Sequence, residues 1–201
     1  MSNAWRFVLL SLLVVEAARA ADPAEKAATP RGLEAVVTTD AGEFVMRLLP
    51  EIAPRHVTHF ARTARAGGYD RTAFHRIIPG GIIQGGDPNT RDPRRKALYG
   101  KGGLGLLKAE FSERPFTRGA VGAARRPSSV DSGGSQFFIC LSDQPSLTGQ
   151  YTLFGEVVAG LDVVDRIGTT PVAGDRPTER IEVRRVVIRE SDPAAAQTGG
   201  K

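Results

Sequence analysis

Two periodicities take turns along this chain. In residues 34–38 (EAVVT) and 43–49 (EFVMRLL), β-branched and aromatic residues dominate. Phe44, Met46 and Leu48 recur at a spacing of two, which puts one face of an extended strand in a core. Thr39-Asp40-Ala41-Gly42 between the two runs is turn-forming, so the domain opens with a hairpin. The period then changes. Val57, Phe60, Ala61 and Ala64 form one stripe of a helix that has Pro54 near its start and Gly67-Gly68 at its end. Short strands are expected at 73–78, 82–85, 119–123, 136–141 and 152–157. A short helix follows at 161–167 (LDVVDRI), then a closing strand at 181–188 (IEVRRVVI). Many strands and two helices in one domain predict a mainly β, closed or nearly closed structure.

The ends of the chain lack this patterning. Residues 1–20 carry Arg6, the apolar run FVLLSLLVV and Ala18-Arg19-Ala20, and read as a cleaved signal peptide. The run is shorter than the roughly 20 apolar residues of a membrane span. Export is therefore expected, to the periplasm if the source is Gram-negative, without stable membrane insertion. Residues 21–31 read as a flexible leader, 32–190 as one domain and 191–201 as a disordered tail.

Composition changes this picture little. The 201 residues include 27 Lys plus Arg against 22 Asp plus Glu. This surplus is too small to argue for nucleic acid, so none is expected as a partner. Cys140, the one cysteine, rules out an intrachain disulfide and reads as a buried apolar side chain. His56 and His59 on the first helix have no evident third ligand, and a packing or solvated role is expected rather than a metal. His75 is expected to point away from Arg76 and to make a structural hydrogen bond. GKGGLG (100–105) lacks a Lys-Ser/Thr ending and reads as a turn-rich loop, and Ser135 lacks a nucleophile-elbow pattern.

Two segments concentrate unusual residues: FHRIIPGGIIQGGDP (74–88), and GGSQFFICL (133–141) followed by QPSLTGQYTLFGEVV (144–158). If a turn at Pro79-Gly80 joins two antiparallel strands, Arg76 and Gln84 face the same side. Together with FHR, PG, QGGDP, GSQFFI and TLFGEVV, these segments resemble a cyclophilin over about residues 33–189. The resemblance implies a closed eight-stranded antiparallel barrel with two helices. It also implies a monomeric peptidyl-prolyl cis-trans isomerase that acts on proline-containing polypeptides and needs no cofactor.

Arg76 matches the family's catalytic arginine, Gln84 the glutamine that binds the substrate backbone, and Phe138 the floor of the proline pocket. Ile82 and Leu147 match apolar lining positions, and Gln136 a second pocket glutamine. Tyr151 takes the place of a rim histidine. Ala124 and Arg125 fall near the strand that offers hydrogen bonds to the peptide. There are departures. Gly81 stands where Phe is usual, and Ser146 stands where a Trp or another large apolar residue is common. Ala123-Ala124 replaces a Met-Ala pair, and Arg91, Arg94, Arg95, Lys96 and Lys101 form a basic loop. Weak binding of cyclosporin is expected. The alternative function is a proline-peptide binding module or holdase with little turnover.

Overall fold

The computed structural model describes residues 32–191. The expected signal peptide and leader, and all but the first residue of the expected tail, lie outside these residues. Strands β1 (Leu33–Thr39) and β2 (Gly42–Leu48) form the opening hairpin. Helix α1 (Pro54–Arg65) follows. Next come β3 (Thr72–Phe74), β4 (Arg76–Ile78), β5 (Ile82–Gly85), β6 (Ala120–Ala123), β7 (Phe137–Cys140) and β8 (Leu153–Ala159). Helix α2 (Leu161–Gly168), the short pair β9 (Val172–Ala173) and β10 (Arg176–Pro177), and β11 (Ile181–Glu190) complete the described order. Three 3₁₀ segments, Pro88–Arg91, Pro93–Leu98 and Pro145–Leu147, occupy loops.

The main sheet runs β3-β11-β1-β2-β8-β6-β7-β5-β4, and every pairing in it is antiparallel. Its first and last strands are separated by a single residue, His75, so the sheet closes on itself into a barrel. The sequence pattern predicts one strand over 73–78. The chain instead breaks at His75, whose N–H still bonds the Gln84 carbonyl at 3.0 Å. Counting β3 and β4 as one broken strand recovers the eight expected. The β9–β10 pair has no counterpart in the sequence reading, because two-residue strands carry no measurable period.

Alternation sorts the side chains between two clusters. Inward residues such as Ile77, Ile83, Val121, Phe137 and Ile139 join the α1 stripe (Val57, Phe60, Ala64) and α2 residues Val163, Val164 and Ile167 in the main core. Phe60 lies 5.8 Å from Phe137 and 5.5 Å from Phe154, ring centre to ring centre, tying α1 to the barrel. A second cluster forms on the outer face of the same strands: Leu49, Phe116, Ala120, Ala124, Phe138, Cys140 and Leu153.

Helix α1 has no side-chain N-cap of its own. The Glu110 carboxylate, from a distant loop, accepts the N–H of Arg55 at 3.1 Å and of His56 at 3.0 Å. A carboxylate at this end satisfies open donors and complements the helix dipole. It also meets His56 Nδ1 at 2.6 Å, so His56 is a packed, hydrogen-bonded residue. Burial alone raises the Glu110 pKa, but the bonds from His56 and the two backbone N–H groups outweigh it. The carboxyl therefore sits below its ordinary value.

Candidate active site

One turn sets the register of the site. Ile78-Pro79-Gly80-Gly81 closes with a Gly81 N–H to Ile78 carbonyl bond of 2.8 Å. Pro79 supplies the fixed φ of the second position, and Gly80 takes the positive φ (69°) that the third requires. This turn aligns Arg76 directly opposite Gln84 in the β4–β5 pair. The ladder continues outward: Gln84 pairs with Phe138, and Phe138 pairs with Gly122. Because alternate strand residues share a face, Arg76, Gln84, Phe138 and Gly122 form one row across four strands. The neighbouring outward row holds Ile82 opposite Cys140.

The polar end of this row is a directed chain of hydrogen bonds. Arg76 Nη1 donates to Gln84 Oε1 at 3.4 Å. Gln84 Nε2 donates to Gln136 Oε1 at 3.0 Å, and Gln136 Nε2 donates to the Gly102 carbonyl at 2.7 Å. Gln136 is buried, so the chain is anchored in the body of the protein. On its other side, Arg76 Nε donates to Asp175 Oδ2 at 2.8 Å. The guanidinium of Arg76 draws the Asp175 pKa down, outweighing the effect of burial. Two partners thus fix the guanidinium plane. The side chain nevertheless stays 40% exposed, which leaves it accessible to a ligand.

The apolar end is built around Phe138. Its ring stacks on Phe116 with centroids 5.7 Å apart and meets Tyr151 edge-on at 5.5 Å. Ile82, Leu147 and Tyr151 are partly buried against this cluster, and Ala124 belongs to it. Gly122 is required here: a Cβ would collide with the Phe138 ring and approach Phe116 Cε1 to 2.7 Å. The Arg125 guanidinium sits 4.5 Å over the Tyr151 ring.

The structure therefore brings Arg76, Gln84, Gln136, Phe138, Ile82, Leu147, Tyr151, Ala124 and Arg125 to one side of the barrel. The Ala124 N–H is already bonded to the Gln136 carbonyl at 3.0 Å. Gly81 precedes Ile82 and exposed Ser146 precedes Leu147 in the chain, and neither carries a large side chain. Three contributors escape the sequence reading. Phe116 lies in a loop without period, Gly122 looks like any strand glycine, and Asp175 sits in the β9–β10 turn, 99 residues from Arg76.

The expected loop at 100–105 also has a specific shape. The buried Asp87 carboxylate accepts the N–H groups of Asn89 (2.8 Å), Gly100 (2.5 Å) and Gly102 (3.3 Å), which holds the Gly102 carbonyl under Gln136. The expectation for His75 needs correction. Both ring nitrogens are buried without a hydrogen-bond partner among the described residues. The ring instead meets Tyr99 edge-on, with centroids 6.5 Å apart.

Comparison with known proteins agrees with this architecture. Residues 35–188 match the family model of cyclophilin type peptidyl-prolyl cis-trans isomerase/CLD. A probable peptidyl-prolyl cis-trans isomerase of Brucella suis is 41% identical over 166 residues, covering 80% of each chain. A peptidyl-prolyl cis-trans isomerase of Arabidopsis thaliana is 33% identical, covering 80% of this chain and 98% of its own. The crystal structure of a cyclophilin type peptidyl-prolyl cis-trans isomerase from Cryptosporidium parvum superposes with a TM-score of 0.71 at 29% identity. It covers 81% of this chain and 99% of that one. A barrel of this topology, a matched domain of this extent and relatives of this identity place the chain in the cyclophilin family of peptidyl-prolyl cis-trans isomerases.

Proposed function

We propose that the chain accelerates rotation about X-Pro bonds by stabilising the twisted amide with Arg76. The carrying observation is the guanidinium held by Asp175 and Gln84 beside an aromatic floor in one cross-strand row. An amide resists rotation by roughly 18–20 kcal/mol because its nitrogen is conjugated. At the twisted geometry the proline nitrogen regains a lone pair. A donor fixed in advance binds that form better than either planar form, and only such differential binding lowers the barrier. Arginine suits the task because it stays charged and its donors are rigidly arranged.

In this reading the proline ring rests on Phe138 between Ile82, Leu147 and Tyr151. Gln84 and Gln136 hold the substrate backbone and the guanidinium in register. Arg125 and Ala124 border the peptide. The rotation makes and breaks no covalent bond, so these residues need no proton transfer. Raising exchange from ~10⁻² to ~10³ per second requires about 7 kcal/mol of barrier reduction.

The substrates are proline-containing segments of unfolded or flexible polypeptides, met by a monomer after export. Export rests on the run FVLLSLLVV and Ala18-Arg19-Ala20. The mass of the secreted chain tests it, with Ala21 as the expected first residue. A protease-coupled assay on an X-Pro peptide tests the function itself. Saturable acceleration well above the uncatalysed rate is expected. Peptide binding at the uncatalysed rate would instead establish the holdase reading, which Gly81 and Ser146 favour by leaving the pocket open.

A further inference from the structure

His75 lies at the break between β3 and β4, directly after the buried Phe74. Its two buried ring nitrogens lack hydrogen bonds among the described residues. The ring borders a cleft of about 440 Å³. Sites for small molecules typically span about 300–1,000 Å³. Its lining includes Pro93 and Tyr99, and Ala173 and Pro177 of the β9–β10 pair. It is separate from the Phe138 face: none of the residues proposed above to contact proline lines it.

The charge of this cleft is one-sided. Lys96, Arg176 and Arg180 line it against the single acid Glu179. Arg180 is already engaged, donating to the Thr90 carbonyl at 2.6 Å, the Arg71 carbonyl at 2.7 Å and Glu182 at 3.1 Å. Lys96 and Arg176 make no ion pair within 4.0 Å among the described residues, although the Arg176 charge is felt by the neighbouring Asp175. Burial lowers the His75 pKa more than Asp87 and the Ala73 backbone raise it, which favours the neutral ring.

Tyr99, Pro93 and Pro177 beside the cations Lys96 and Arg176 suit a ligand with an aromatic ring and an acidic group. We propose that this cleft binds a small aromatic anion, its ring between Tyr99 and Pro177 and its acidic group on Lys96 and Arg176, beside the His75 ring. The cleft and the Arg76 site share the β9–β10 turn, since Arg176 directly follows Asp175.

Phenyl phosphate titrated into the full chain tests the proposal by calorimetry and by NMR of the histidine rings. Inorganic phosphate and benzyl alcohol serve as the anion-only and ring-only probes. Saturable binding of phenyl phosphate with a dissociation constant of about 1 mM or tighter is expected, with the His75 resonances moving in step. Each partial probe should bind at least tenfold more weakly. Lys96→Glu, at an exposed position, should weaken phenyl phosphate at least tenfold and leave X-Pro turnover unchanged. The proposal is overturned by lack of saturation at 10 mM, by His75 signals that stay still, by phosphate binding as tightly as phenyl phosphate, or by undiminished binding to Lys96→Glu.

Discussion

The two faces of strands β4 to β7 differ by one residue step and by everything that follows from it. Facing inward are Ile77, Ile83, Ile139 and Val121, all fully buried and all aliphatic. Facing outward, from the same strands, are Arg76, Gln84, Phe138 and Gly122. The inner row needs only volume and apolarity, and many residues supply both. The outer row needs particular groups in order: a fixed cation, an amide relay, an aromatic ring and a glycine that lets the ring lie down. On the proposed function, stability and chemistry are divided between the faces of one sheet, and perturbations on each face should separate them.

The largest effect is expected on the inner face. Ile139→Ala should destabilise the fold by about 2–5 kcal/mol, through lost burial and the cavity left behind. Its molecules that remain folded should turn over X-Pro peptides within a few-fold of normal. Denaturant unfolding combined with an assay under native conditions checks both halves. If turnover per folded molecule collapses, the two faces are not independent.

Gly122→Ala probes the outer face with one added methyl group. The methyl must displace the Phe138 ring or Phe116, at a cost of about 1–3 kcal/mol for overpacking. Here KM for X-Pro peptides should rise about tenfold or more, since the proline floor has moved. An unchanged KM would show that Phe138 is not the surface on which proline rests.

Asp175→Asn should act more gently, because an exposed ion pair contributes about 0.2–1 kcal/mol. Turnover should fall by about five-fold or less. The pH dependence has a definite sign. Asp175 is held below its ordinary value of 3.8 by Arg76, so its contribution is present above that pH. It is lost as pH falls through the lowered value. Turnover should therefore show no Asp175-dependent step between pH 5 and 8, and the gap between wild type and Asp175→Asn should close only in more acid solution. The smallest response is expected from cyclosporin. Gly81 and Ser146 offer it little surface, so a nanomolar dissociation constant would contradict the open-pocket description.

Legibility in the sequence followed physical range. The opening hairpin, α1, α2 and β11 announce themselves through local period and turn residues. Arg76 facing Gln84 was readable because Pro79 and Gly80 fix the register within a single hairpin. Cross-chain dependencies were not readable. Asp175 reaches Arg76 from a turn whose strands are two residues long, and Glu110 caps α1 from a loop 55 residues after Arg55. The hydrogen-bond deficit of His75 was invisible for a similar reason. A strand pattern tells which face a ring takes, but not which polar groups from other segments come within reach of its nitrogens.

The central claim is that Arg76 acts on the twisted amide more than on the bound peptide. The most direct measurement is exchange spectroscopy on an Ala-Pro peptide at equilibrium, with wild type and Arg76→Ala, beside the peptide's dissociation constant for each. Catalysed cis/trans exchange should fall by about 10²–10³ in the variant, while peptide affinity changes only a few-fold and the melting temperature holds. Exchange at the wild-type rate would remove Arg76 from the chemistry. Affinity falling in proportion to exchange would show that Arg76 serves binding rather than rotation.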